Sequence, residues 1–238
     1  MVQVMFALLL IASPARAADV VPSDILEAGK ALYSQGKEEL IIRHFFKDRR
    51  DGFYVDLGCW QWETASTTLY LERHLGWSGL AIDALPHLRD AWVANRPKAK
   101  FLNYLVTDHS GTFEKFYAAG PLSSTEKGHV KEFTGTDSPA VREISVPTIT
   151  MNELLEQNGV KKIDFLSIDI EESEPAALAG FDIERYKPEL VGIEVSASVR
   201  DKISAYFAAH NYERIDEYMK YDAVNWYYRP KPSRVAPR

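Results

Sequence analysis

Acidic residues end three of the hydrophobic runs in the first half of the chain. Asp56 ends a run of aromatic and β-branched residues, Asp83 ends a second run, and Asp108 follows a third. The carboxyl ends of parallel strands meet in one crevice, where a carboxylate after the second strand accepts hydrogen bonds from ribose hydroxyls. Backbone N–H groups of a glycine turn, here at Gly58, receive another polar group of the ligand. This spacing predicts a nucleoside-type cofactor held by Gly58 and Asp83.

Residues next to these acids complete the predicted cofactor site. Val106, Thr107 and Asp108 stand where the adenine ring lies in this topology, and Ser66 opens the helix after the glycine turn. Cys59 has no identifiable basic neighbour to activate a thiolate, so we interpret it as packing against the cofactor. An N-cap or a solvated loop carboxylate is the ordinary alternative for any single acid. Three acids at successive strand ends favour the cofactor.

The turn after the first of these runs is poor in glycine. Residues 58–62 read Gly-Cys-Trp-Gln-Trp, so the G-x-G-x-x-G sequence of dinucleotide-binding turns is missing. A pyrophosphate needs those glycines in order to approach the backbone. S-adenosylmethionine has no phosphate and does not need them, and Asp56 could face its ammonium group. These features favour S-adenosylmethionine over a nicotinamide dinucleotide.

The elements that position these residues alternate between strands and helices. Such alternation predicts an α/β fold with a doubly wound, mostly parallel, Rossmann-like sheet and crossover helices. Trp226, Tyr227 and Tyr228 are expected to close an antiparallel edge hairpin with the strand that precedes them. The predicted strands include Gly52–Gly58, Leu80–Asp83, Phe101–Val106, Ile163–Ile168 and Leu190–Val195, and the first crossover helix is predicted at Ser66–Leu75.

Several segments are expected to decorate this core. Residues 18–50 read as a helical lead-in with Ser23 as N-cap, and residues 51–230 form the cofactor-binding domain. Within that domain, glycines and prolines near 111–147 indicate an irregular insert with one hairpin. Residues 231–238 are rich in proline and basic side chains and are predicted to be a flexible tail.

The first 17 residues have features of a signal peptide. A short apolar run is followed by Ala15-Arg16-Ala17, which fits the small-x-small cleavage pattern. The basic residues that usually precede such a run are missing, so a misplaced start codon is the alternative. The protein would be exported or periplasmic in the first case and cytoplasmic in the second. The run is too short to be a permanent membrane span.

Composition restricts the class of partner. The chain has 238 residues and a net charge of −6, which suits a single domain and offers no basic face for nucleic acid. A small or neutral acceptor molecule is therefore favoured. The single cysteine excludes an intramolecular disulfide, and no metal-like spacing of His, Asp and Glu is evident, so we expect no metal.

Seven blocks of residues follow one another in a specific order: Tyr54–Gly58, Ser66–Glu72, Leu75–Asp83, Arg96-Pro97, Val146–Leu155, Ile163–Glu171 and Glu174–Phe181. In this order the blocks resemble the FkbM-type methyltransferases, and the resemblance extends from Phe53 to Pro230. It implies a class I methyltransferase fold, S-adenosylmethionine as the methyl donor, and O-methylation of a hydroxyl on a sugar or other small molecule.

Two positions depart from the family pattern. Trp60 stands where the family commonly has a small residue or glycine, and Glu172 replaces the glycine of its Asp-x-Glu-Gly sequence. A bulky turn could narrow the cofactor site, and loss of the glycine could alter the backbone after Asp169. These departures leave open a second hypothesis, a non-catalytic, Rossmann-like ligand-binding protein derived from a methyltransferase.

Methyl transfer to a hydroxyl requires alignment of donor and acceptor and removal of a proton. Asp169 and Glu171 follow a core strand, and alternation in an extended segment sends both side chains to one side. One of them could orient the hydroxyl or act as base, and Glu194, at the next strand end, is a further catalytic candidate. In the equally weighted alternative, Asp169 contacts the amino-acid part of the cofactor and Glu171 caps the following helix.

Overall fold

A computed structural model of the protein describes residues 21–134 and 141–232. Its main sheet has seven strands in the order β3-β2-β1-β7-β8-β10-β9, and the first five are mutually parallel. This confirms the predicted α/β class. The strands of the described residues are β1 (Phe53–Leu57), β2 (Ser78–Asp83), β3 (Ala99–Asn103), β4 (Leu105–Thr107), β5 (Phe113–Ala118), β6 (Arg142–Thr150), β7 (Phe165–Ile168), β8 (Leu190–Glu194), β9 (Tyr212–Arg214) and β10 (Asn225–Pro230).

Helices cover both faces of this sheet. Two short 3-10 helices, at Pro86–Leu88 and Asp216–Lys220, add to them. The α-helices of the described residues are α1 (Ile25–Ala28), α2 (Glu38–Phe46), α3 (Leu69–Leu75), α4 (Arg89–Asn95), α5 (Lys127–Thr134), α6 (Met151–Gln157), α7 (Glu174–Ala179), α8 (Ile183–Tyr186) and α9 (Arg200–Ala209).

Strand β1 lies at the centre and contributes to the core on both faces. Successive side chains of a strand point to opposite faces, so Val55 and Leu57 pack on one side and Tyr54 on the other. The first face is covered by apolar residues of α6, α7 and α9, the second by those of α2 and α3. Burial on both faces explains why this strand reads as a nearly continuous apolar run.

The predicted strand Phe101–Val106 is two strands in the structure. β3 ends at Asn103, and β4 pairs instead with β6 in a separate three-stranded sheet of order β4-β6-β5. The sequence shows no gap between β3 and β4, because the residues on either side of the break, Phe101 and Leu105, are both apolar and buried. The insert also holds more regular structure than predicted, since β5 and β6 form an antiparallel pair and α5 lies between them.

Other boundaries differ by a few residues. α3 begins at Leu69 rather than Ser66, and the lead-in helix α1 has Asp24 rather than Ser23 at its N-cap position. β10 pairs with β9 as expected, but it also pairs with β8, so β9 is the edge strand.

Two terminal predictions concern segments that lie outside the described residues: the signal peptide at 1–17 and most of the tail at 231–238. Within the described ranges, no helix has the length and apolar character needed to cross a membrane.

Candidate active site

A cavity of about 670 Å³ opens at the carboxyl ends of the central strands. Its size is within the range usual for small-molecule sites. Seven of the ten predicted site residues line it, and they come from four neighbouring strand ends. They are Asp56, Gly58, Cys59, Asp83, Asp169, Glu171 and Glu194.

The other three predicted cofactor residues do not line this cavity. Ser66 is buried and accepts a hydrogen bond from Arg96 at 3.2 Å. Thr107 is buried at the end of β4, and the exposed carboxylate of Asp108 pairs with His109 at 2.7 Å. Val106, which was predicted beside the adenine ring together with Thr107 and Asp108, does line the cavity, as do Tyr104 and Leu105.

Gly58 is the point where the turns after β1 and β7 approach each other. Its φ of 78° is in the left-handed region, and a β-carbon added there would lie 1.7 Å from the carbonyl oxygen of Asp169. Any larger residue would push these two turns apart. The glycine is therefore required by the backbone itself, and it leaves the floor of the cavity without a side chain.

Two backbone donors fix the carboxylate of Asp83 at the end of β2. Leu85 N donates to Oδ1 at 2.9 Å, and Trp60 N donates to Oδ2 at 3.0 Å. Burial raises the pKa of Asp83 to about 6 despite these bonds. A carboxylate can accept about four hydrogen bonds, so capacity remains for ribose hydroxyls.

A buried arginine, Arg96, orients the carboxylate of Asp56 through Thr68. Thr68 Oγ1 donates to its Oδ2 at 2.9 Å, and Arg96 in turn donates to Thr68 Oγ1 at 3.1 Å. Burial raises the pKa of Asp56, while Thr68, Arg96 and Ser167 oppose that effect. The carboxylate at the cavity wall is thus oriented by a network behind it.

The Arg96 side chain has no exposed surface and donates five hydrogen bonds. Its ion pair with Glu72 measures 2.7 Å. A hydrogen bond of 2.9 Å to the carbonyl of Trp62 fixes the loop between β1 and α3. The predicted site did not include this residue. Its only sequence signal was its place in the Arg96-Pro97 block.

Three carboxylates from two strand ends converge on the other side of the cavity. Oxygens of Asp169, Glu171 and Glu194 lie within 4.8 Å of one another. Asp169 is exposed at the surface of the cavity, yet desolvation by the surrounding protein, followed by the nearby carboxylates of Glu194 and Glu171, raises its pKa well above its usual range. Burial and the charge of Glu171 raise the pKa of Glu194 to about 7. A side-chain hydrogen bond joins Asp169 to Glu194.

Among the described residues, these three carboxylates have the spacing that a metal ion requires. Hard divalent cations prefer oxygen ligands. An acidic cluster alone does not define a cation site, so the expectation that the protein uses no metal stays a prediction.

The insert supplies a histidine that the site prediction did not include. His129 of α5 lies with Nε2 2.7 Å from Glu171 Oε2 and Nδ1 3.9 Å from Glu172 Oε2. Burial raises the pKa of Glu171, and the hydrogen bond to His129 opposes that rise. The weak pattern of the insert sequence gave no sign of this contact.

Both departures from the family pattern occupy left-handed backbone positions. Trp60 has a φ of 45° and Glu172 a φ of 71°, the region that glycine adopts at least cost. The Trp60 carbonyl accepts a bond of 2.7 Å from Trp92 Nε1, and Glu172 Oε1 accepts hydrogen bonds from Ser196 and Ser198. Polar contacts therefore hold both bends in the absence of glycine.

Cys59 is buried beside the cofactor turn. Burial, then the charges of Asp83 and Asp56, raise the pKa of its thiol well above its usual range. A thiol of this kind is a poor nucleophile at neutral pH, which agrees with its interpretation as a packing residue.

Segments from outside the central strands complete the cavity. Residues 35–38 of the lead-in, residues 120–123 of the insert and residues 221–225 before β10 all line it. Their side chains are mixed in character and include Lys37, Leu122 and Asn225. The cavity therefore extends beyond the turn at residues 58–62 into a region that these three segments line.

Comparison with known proteins identifies one matching family profile. The profile described as the methyltransferase FkbM domain matches residues 48–223. No curated protein sequence matches the chain significantly.

Several solved structures resemble the chain at low sequence identity. A TehB-like SAM-dependent methyltransferase from Corynebacterium glutamicum is 15% identical, with 87% of this chain and 93% of that one covered and a TM-score of 0.47. A precorrin-6y C5,15-methyltransferase from Geobacter metallireducens is 10% identical, with coverage of 82% and 87% and a TM-score of 0.46. Methyltransferase FkbM from Methylobacillus flagellatus is also 10% identical, with a TM-score of 0.44; the match covers 83% of this chain and 48% of that one.

Proposed function

The chain belongs to the FkbM methyltransferase family, and from this premise we propose that it methylates a hydroxyl oxygen of a sugar or another small molecule. Its cofactor is S-adenosylmethionine, which supplies an electrophilic methyl group on a sulfonium centre. The proposal rests on one observation: two groups of residues lie on opposite sides of the same cavity. The cofactor turn lies on one side, and three carboxylates with raised pKa lie on the other.

The residues of the cofactor side fit this donor. Gly58 lines the cavity at the end of β1 without a side chain, and the fixed carboxylate of Asp83 has acceptor capacity for ribose hydroxyls. Asp56 offers a negative charge at the cavity wall for an ammonium group. These contacts need no phosphate-binding glycines, in agreement with the turn sequence.

The residues of the acceptor side suit a hydroxyl. A hydroxyl oxygen becomes a strong nucleophile only as its proton leaves, and a general base works best when its pKa is near the ambient pH. Glu194, with a pKa of about 7, and Glu171 both lie at the cavity. One of these carboxylates takes the proton, while Asp169 orients the acceptor or the amino-acid part of the donor.

The alternative of a non-catalytic binding protein drew on Trp60 and Glu172. Both residues keep the left-handed backbone that a glycine would allow. The carboxylates after β7 remain together despite these substitutions. No feature of the described residues therefore favours the alternative over methyl transfer.

The proposal is tested with the purified full chain, S-adenosylmethionine labelled in its methyl group, and a panel of probes. The panel contains methyl glycosides, inositol and a simple phenol, with a primary amine as the contrasting acceptor. We expect label to enter at least one hydroxylated probe and the product to gain one methyl group by mass spectrometry. Glu171→Gln and Glu194→Gln should each slow this transfer, whereas Glu184→Gln, on α8 away from the cavity, should not.

Two outcomes would contradict the proposal. Labelled product from the amine alone would show that the acceptor atom is nitrogen. Binding of the donor with no product from a hydroxylated panel would favour the binding-protein alternative.

A further inference from the structure

His129 and Glu171 form a nearly buried pair behind the cavity wall. Their side chains are 10% and 16% exposed, and Nε2 lies 2.7 Å from Oε2. Glu171 lines the cavity, whereas His129 does not. The histidine therefore acts on the cavity only through the carboxylate that it contacts.

Two further contacts join the insert, residues 111–147, to the loop that carries Glu171. Ser124 Oγ donates to the Glu171 carbonyl at 2.7 Å, and Thr125 Oγ1 lies 3.1 Å from Ser173 Oγ. These residues precede α5 by a few positions and fix its start against the loop. The position of His129 is thus set by the fold of the insert and not by one contact alone.

The backbone of this loop needs such support. Glu171 has a φ of 53° and Glu172 a φ of 71°, so two consecutive non-glycine residues are left-handed. This conformation is unfavourable for any residue that has a β-carbon. The conformation turns the Glu171 side chain between the cavity and His129.

We propose that His129 is a positioning residue that selects Glu171 as the proton acceptor for the acceptor hydroxyl, an inference that rests on the proposed methyl transfer. With a proton on both ring nitrogens, His129 donates toward Glu171 and faces Glu172 with the other nitrogen. One oxygen of Glu171 is then engaged by the ring, and the second is free to take the proton from the hydroxyl. In this step the O–H bond of the acceptor breaks and an O–H bond to Glu171 forms, while the acceptor oxygen keeps the electron pair that bonds to the methyl group.

The surrounding charges explain why the choice falls on Glu171. A side-chain hydrogen bond joins Asp169 to Glu194, so these two carboxylates are already engaged with each other. Glu171 has a cationic partner that opposes the effect of its burial. The charged groups that face Glu171 are His129 of α5, Glu172 of the same loop, Asp169 after β7, Glu174 of α7 and Glu194 of β8.

The ionisation of Glu171 can be measured without any acceptor. In protein labelled at the glutamate side-chain carboxyl carbon, the Glu171 signal is assigned by its loss in Glu171→Gln and followed by NMR over pH. In His129→Gln, which keeps a hydrogen-bond donor but no charge, we expect the titration midpoint to move to higher pH. His129→Lys should return it toward the wild-type position. The surface pair His210 and Glu184, 3.2 Å apart, provides the control: His210→Gln should leave the Glu171 midpoint unchanged.

Kinetics then test whether this ionisation serves the reaction. With the methyl glycoside that the wild type methylates fastest, His129→Gln should lower kcat/KM at neutral pH on the order of ten-fold. The rate should recover at higher pH, where Glu171 ionises without help, while donor affinity stays within about two-fold. A Glu171 midpoint that does not move in folded His129→Gln overturns the inference, and so does an unchanged pH profile. A midpoint that moves in a protein that methylates no probe contradicts the proposed function instead.

Discussion

Gly58 and Asp169 approach so closely that a β-carbon on the glycine would lie 1.7 Å from the aspartate carbonyl oxygen. This contact joins the turn after β1 to the loop after β7, which carries Asp169 and Glu171. The distance between the two halves of the cavity is therefore set by the absence of one side chain. Substitutions at this position should affect both halves together.

Gly58→Ala should destabilise the fold by at least about 2 kcal/mol, because it adds a left-handed alanine to a clash with backbone. Gly128→Ala is the matched control, since Gly128 lies in α5 with no other atoms within 4 Å of an added β-carbon. There, alanine should be neutral or stabilising. Equal urea midpoints for the two variants, measured by circular dichroism, would show that the backbone contact is not as close as the structure indicates.

Asp83→Ala should weaken binding of S-adenosylhomocysteine by about 1–3 kcal/mol, the cost of leaving hydrogen-bonding partners unmatched. Asp108→Ala tests the other predicted carboxylate, which is exposed and lies off the cavity. We expect isothermal titration calorimetry to give wild-type affinity for Asp108→Ala. A larger loss there than at position 83 would reject the ribose assignment of Asp83.

Arg96→Met should lower the free energy of unfolding by about 3–5 kcal/mol, because it leaves Glu72 buried without its cation. Arg73→Met is the contrasting case. Arg73 is 40% exposed and pairs with Glu63 at 3.5 Å, and such surface pairs contribute about 1 kcal/mol or less. Comparable losses for the two variants in chemical denaturation would contradict the structural role of the Arg96 network.

Glu174 predicts a specific pH dependence of stability. Burial raises its pKa to about 7, and its Oε2 atom has no hydrogen-bond partner among the described residues. An acid with a raised pKa in the folded state contributes stability below its unfolded pKa, and this contribution is lost as the pH rises through the folded value. Glu174→Gln removes the titrating group and should therefore stabilise the protein above about pH 7, by on the order of 1–3 kcal/mol.

The control for this effect is Glu153→Gln, at an exposed carboxylate that accepts a bond of 2.9 Å from Gln157. Its unfolding free energy should follow the wild type over the whole pH range. The Glu174 variant should approach the wild type below about pH 4.5, where both forms are uncharged. A gain that persists at low pH would point to a packing effect instead of ionisation.

Much of the fold follows from residues close together in sequence. The apolar run before Asp56, the glycine after it and the second acid at Asp83 define the central strands and their cofactor edge. The break between β3 and β4 could not be predicted, because the apolar residues continue through it. Which strand a residue pairs with depends on partners more than forty positions away, such as Thr148 opposite Leu105.

The sequence predicted the carboxylates that follow strands. It did not predict the polar side chains that contact these carboxylates from other parts of the chain. Arginine is expected at the surface, so nothing in the sequence indicated that Arg96 is buried beneath the cofactor loop. His129 lies in a weakly patterned insert, and its partner Glu171 is 42 positions later. Such contacts are set by tertiary packing and become visible only in the structure.

We propose above all that this cavity holds S-adenosylmethionine for methyl transfer. Calorimetric titration of the wild-type protein with S-adenosylhomocysteine, and separately with NAD under identical conditions, checks this assignment. We expect saturable binding of one S-adenosylhomocysteine per chain and no binding of NAD. A folded protein that binds NAD, or that binds neither S-adenosylhomocysteine nor S-adenosylmethionine, would overturn the assignment.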